Sequence, residues 1–100
     1  MNNNEELNRA IVLYLGFGFV PIPRLERERI INEFGIEKAT KLESFINSIL
    51  EELGRINIDW SIHTLESASQ VACLEIHRLY PNLSDVALRA LEWKITFDWR

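Results

Sequence analysis

The chain has 100 residues, 47% hydrophobic and 26% charged, with a formal net charge of −4; that is length for one core in one domain, and too apolar for a disordered tail. Its one cysteine, Cys73, excludes a disulfide framework and an all-cysteine metal site. The longest apolar stretch, Ile11 to Ile22, is too short to cross a membrane and is interrupted by Gly16, Gly18 and Pro21, and no basic segment precedes it to make a signal peptide, so a soluble cytoplasmic domain is expected.

Taken in order, Asn2, Asn3 and Asn4 offer a cap for a first helix, with Glu5 and Glu6 in its first turn and Leu7, Ile11 and Leu15 at helical spacing up to Gly16. Two glycines and two prolines forbid a helix over Gly16 to Pro23, and the apolar character of that segment predicts a loop lying across the core. Pro23 suits the first position of a second helix carrying Leu25, Ile30, Ile31 and Phe34 and ending at Gly35. Its other face, Arg24, Glu26, Arg27, Glu28, Arg29 and Glu33, is mixed in sign and reads as solvated. A third helix follows from Leu42, Phe45, Ile46, Ile49, Leu50 and Leu53, closed by Gly54.

Ile58, Ile62, Leu65, Ser69, Ala72, Ile76 and Leu79 predict a fourth helix, capped by Asp59 or Ser61. If Ser61 is the cap, Trp60 and Leu65 form a hydrophobic staple. The small residues Ala68, Ser69, Ala72 and Cys73 predict close approach of the face formed by Ala87, Ala90 and Leu91. After Pro81, Ser84 caps a last helix, with Leu83 and Leu88 as its staple. From Ile95 the sequence alternates, so an extended tail competes with a helix to about residue 97. The fold class expected is all-α, a single compact bundle of four to five helices.

Catalytic chemistry finds no support. His63 and His77 share a stripe with Glu66 and Gln70 but stand too far apart along one helix to act together. Cys73 and His77 have metal-ligand spacing and lack further ligands. Nucleophile-elbow, Walker and dinucleotide motifs are missing, so no catalytic residue, cofactor or metal is expected. Arg24, Arg27 and Arg29 form the one basic cluster, interleaved with glutamates, which is a poor phosphate-binding surface. A helix-turn-helix regulator using these arginines is an alternative. Another is a structural or regulatory subunit that self-associates through Trp93, Phe97 and Trp99.

Charge distribution says more. From Leu42 to His77, Glu43, Glu51, Glu52, Asp59, Glu66 and Glu75 face Arg55 as the only strong base. Glu51 and Glu52 fall in the last turn of the third helix, where the dipole disfavours negative charge by about 0.3–1 kcal/mol. A feature that opposes stability invites a functional explanation. Glu51, Glu52, Asp59, Trp60, Glu66 and Gln70 are therefore the candidate partner-binding residues, with Glu51, Glu52, Asp59 and Glu66 expected to gather around the Gly54–Trp60 connector and Trp60 as aromatic anchor.

The run Tyr80-Pro81-Asn82-Leu83-Ser84-Asp85-Val86-Ala87-Leu88-Arg89-Ala90-Leu91-Glu92-Trp93, with Phe97-Asp98-Trp99-Arg100 at its close, resembles the end of small helical immunity proteins of contact-dependent inhibition and related polymorphic toxin systems. The resemblance covers about a fifth of the chain and assigns no individual role. It implies a stoichiometric inhibitor of a cognate toxin, often a nuclease, in agreement with an acidic surface directed at a basic partner.

Overall fold

The computed structural model describes residues 3–99. Five helices follow one another: α1 (Asn3–Leu15), α2 (Arg27–Phe34), α3 (Ile36–Arg55), α4 (Leu65–Leu79) and α5 (Asp85–Asp98). The described residues form an all-α bundle. α5 packs mainly on α1 and α4, and α2 lies on α3. The radius of gyration, 13.4 Å, is that of a folded chain of this size. No helix among the described residues is long and apolar enough to cross a membrane.

α1 ends where Gly16 takes φ +85°, a conformation that disfavours any side chain. The N–H groups of Gly16 and Phe17 both reach the Val12 carbonyl, and those of Phe19 and Val20 return to Gly16. The segment satisfies its own backbone in this way and presents one side inward. Phe17 packs on the core, its ring 5.5 Å from Trp93. Phe19 and Ile22, in contrast, are 55% and 58% exposed, so the loop does not lie wholly across the core as expected. Asn2, part of the expected cap, lies outside the described residues.

Helix boundaries move in three places. α2 starts at Arg27 rather than Pro23, because the N–H groups of Arg24 and Glu26 are taken by the carbonyls of Leu15 and Tyr14. α3 starts directly after Gly35, well before Leu42, and runs through Gly54 to Arg55, where Ile56 turns extended. α4 starts at Leu65 rather than near Ile58. Its cap is Thr64, which accepts the Ser67 N–H at 3.1 Å while Ser67 Oγ accepts the Thr64 N–H at 3.0 Å. Neither Asp59 nor Ser61 caps this helix.

Of the apolar residues expected to face inward, Leu25, Phe45, Ile62, Leu79 and Val86 are exposed instead, while Ile46, Ile49, Leu53 and Ile76 are buried beside Ala10, Ile11, Leu13, Tyr14 and Leu15 of α1. The expected contact of small residues matches the structure. Ala68, Ser69, Ala72 and Cys73 are buried, as are Ala87, Ala90 and Leu91, and the Cys73 thiol lies 3.7 Å from the Leu88 carbonyl. Small residues on both helices let α4 and α5 approach closely. Ser84 caps α5 by accepting the Ala87 N–H, and α5 continues to Asp98 with Trp99 as its C-cap, so the expected tail is helical to Asp98, Arg100 lying outside the described residues. Lys94 and Asp98, at the centre of its apolar arc, neutralise one another in an ion pair.

Candidate protein-interaction face

Glu51 and Glu52 are adjacent in the last turns of α3 and therefore point to different sides of it. Glu51 lines a cavity of about 440 Å³ with Leu50, Lys94, Asp98 and Trp99. Glu52 lines another of about 440 Å³, between the end of α3 and α4, with Ile56, Val71, Glu75 and Leu79. Arg55 bridges the two carboxylates, 2.8 Å from Glu52 and 3.7 Å from Glu51. It offsets one of the two charges, and all three side chains stay partly solvated, where such pairs contribute little to stability.

Across that second cavity, Glu75 is held by Arg78, whose hydrogen bonds keep the glutamate carboxyl below its ordinary range. Glu43 belongs elsewhere. It accepts the Tyr14 hydroxyl at 3.2 Å and lies 3.4 Å from Arg27, so it ties α1, α2 and α3 together and is no part of the acidic face.

Asp59 stands in the connector, five residues ahead of α4's cap. Its Oδ1 accepts the hydroxyl of Ser61 at 2.5 Å and its N–H at 3.0 Å, and these bonds lower the carboxyl from its ordinary range. Trp60 does not staple α4 through Leu65. Its ring stands edge-on to Trp99, centroids 5.5 Å apart, with half of its surface exposed. That contact brings the connector to the end of α5, and through Trp99 to the cavity that Glu51 lines.

Glu66 and Gln70 are exposed one turn apart on α4, on the flank opposite Glu75. The four carboxylates Glu51, Glu52, Asp59 and Glu66 therefore do not make one cluster around the connector. Glu52 and Glu75 border one side of α4's outer surface, Glu66 and Gln70 border the other, and Glu51 lies apart, on the side of α3 that faces the end of α5.

Between those borders lies what the sequence reading missed. Leu74 is 70% exposed at the middle of α4 and Val71 is also open, with the exposed Arg78 on the same face; Leu79, also open, lies beyond Glu75, and Ile62 in the connector is 73% exposed. The signal was present as two apolar residues, Val71 and Leu74, that fall outside the buried stripe.

His63 precedes the cap of α4, its Nδ1 3.1 Å from Ser67 Oγ, so the shared stripe with His77 does not form. Among the described residues, no group of three His, Cys, Asp or Glu comes together to hold a metal. Of the basic cluster, Arg27 faces Glu43 and Arg29 turns inward to the carbonyls of Leu13, Tyr14 and Arg24. The aromatic end is also engaged internally, with Trp93 against Phe17 and Phe97, and Trp99 against Trp60. Compared with family models, curated proteins and solved structures, the chain matches none.

Proposed function

We propose that the chain is a non-enzymatic protein-binding domain, an immunity protein that neutralises a cognate bacterial toxin by covering a basic surface of it. One observation carries this reading. The end of α3, the connector and α4 hold Glu51, Glu52, Asp59, Glu66 and Glu75 against Arg55 and Arg78 alone, a surplus of three carboxylates in a chain whose net charge is −4. Both arginines are already paired to glutamates of this region.

Such a surface steers a cationic partner and speeds its encounter. The half-exposed Trp60, braced by Trp99, is a preorganised anchor beside it. The pairing of the exposed Arg27 with Glu43, the inward turn of Arg29 and the internal packing of Trp93, Phe97 and Trp99 favour this reading over DNA binding and over self-association through the aromatic end.

The test is to look for a toxin gene beside the one that encodes this chain and to titrate its inactivated toxin domain against the chain by calorimetry. Tight one-to-one binding that falls with salt is expected, weakened by Glu51→Lys with Glu52→Lys while helical circular dichroism is retained. No binding overturns the reading, and unchanged affinity of the double variant at low salt removes the end of α3 from the surface.

A further inference from the structure

We propose that the cavity between the ends of α3 and α5 is a binding site for a neutral aromatic ring that carries a hydroxyl or carbonyl oxygen. The proposal does not rest on the protein-binding reading above, and no toxin enters its test.

Lys94 is out of place on α5. It lies at the centre of the helix's apolar arc, and its side chain is 18% exposed. A lysine seldom sits so deep unless it is paired. Asp98, one turn on and half-exposed, supplies that pairing. An ammonium has three N–H bonds and Asp98 takes one, so the others have no protein acceptor among the described residues.

Three separate segments surround it with apolar side chains. Leu25 from ahead of α2, Leu50 of α3, and Ile95 and Trp99 of α5 wall a cavity of about 440 Å³, which is within the range of small-molecule sites. Ile95 is part of the buried core, and the Trp99 ring is braced edge-on by Trp60. Two of the walls are thus set before anything enters, which lowers the cost of binding.

Charge selects the occupant. Each carboxylate of the lining has a cation of its own, Asp98 with Lys94 and Glu51 with Arg55 at 3.7 Å. An anion entering here would meet those carboxylates and a cation would meet Lys94, each shedding water without an unpaired countercharge in return. A neutral ring sheds little water, packs on Leu25, Leu50 and Trp99, and needs one oxygen to accept from Lys94.

The experiment titrates the isotope-labelled full chain with p-cresol, toluene, p-toluate and p-methylbenzylammonium, read by amide NMR at neutral pH. These probes share one ring and differ in charge and in the oxygen. Saturable shifts at Leu25, the end of α3 and the last turn of α5 are expected from p-cresol, with both charged probes at least ~10-fold weaker. Lys94→Met keeps an unbranched side chain and removes the donors, so the preference for p-cresol over toluene should disappear. Leu25→Ser, at an open position outside the core, should weaken both neutral probes while circular dichroism is unchanged. N-acetyltyrosinamide carries the same ring on a blocked backbone; binding equal to p-cresol supports a ring presented by a polypeptide, and its exclusion supports a free molecule. Shifts centred on another surface, a charged probe binding as tightly as p-cresol, or a preference for p-cresol that survives Lys94→Met would each overturn the proposal.

Discussion

The side-chain amide of Asn8 accepts the backbone N–H of Ser84 at 2.9 Å and donates to the Asn82 carbonyl at 3.2 Å. One residue of α1 thereby holds the turn between α4 and α5 at its middle and at the end that enters α5. The Ser84 N–H lies outside the intrahelical ladder of α5, so Asn8 supplies a partner that the helix cannot. Asn8→Ala is expected to cost about 1–3 kcal/mol in urea unfolding, and Asn8→Asp, which keeps the acceptor and loses the donor, is expected to recover part of that. Equal stabilities for all three would show that the clamp contributes nothing.

Arg29 acts similarly on the end of α1. Its Nη1 lies 3.0 Å from the Leu13 carbonyl and 3.2 Å from that of Arg24, placing a cation at the negative end of the helix. Arg29→Ala is expected to lower stability by about 1–2 kcal/mol, with the loss confined to α1 and its loop in hydrogen exchange.

Gly16 is constrained by the same contact. At φ +85°, an added Cβ would stand 2.6 Å from Val20 Cγ2 and 3.0 Å from Arg29 Nη1. Gly16→Ala should therefore cost at least about 1–2 kcal/mol from backbone strain alone. Because it also displaces the guanidinium, its effect should be less than additive with Arg29→Ala.

Removal of the Trp60 ring should destabilise the connector more than the bundle. An edge-to-face pair contributes about 0.5–1.5 kcal/mol beyond its buried area. Trp60→Phe should retain most of that term and Trp60→Ala should lose it, and thermal unfolding of the two variants distinguishes an aromatic contact from simple burial.

Alkaline pH should reach two groups late. Burial, with Glu92 adding to it, pushes the Cys73 thiol up to about 12, and burial followed by the Glu43 charge raises Tyr14 above its ordinary value. Both are raised in the fold, so the stability they lend is complete below their unfolded values and is lost as pH climbs through the folded ones. For Cys73 that window runs from about 9 to about 12. The native chain should resist alkylation at mildly alkaline pH and react on addition of denaturant; rapid labelling of the folded chain would contradict the burial of the thiol.

Most of the fold could be read from residue order. The spacing of Ile46, Ile49 and Leu53 in α3, the small faces of α4 and α5, and the Ser84 cap each follow from local periodicity, which depends on the chain's own geometry. Element ends were less legible. Thr64 with Ser67 outcompetes Asp59 and Ser61 as the start of α4 because a reciprocal pair of hydrogen bonds satisfies two backbone groups, while Asp59 is spent on its own turn.

The candidate site divides in the same way. Sequence alone determined that the stretch from Leu42 to His77 sets six carboxylates against Arg55 and that α4 and α5 meet through small side chains, because charge and periodicity are local properties. Only the tertiary structure decided which carboxylates border one surface, that Glu43 is turned inward on Tyr14 and Arg27, and that Val71 and Leu74 stay open to solvent. Each of those outcomes depends on which helix lies opposite, and that choice is made by packing between segments far apart in the chain.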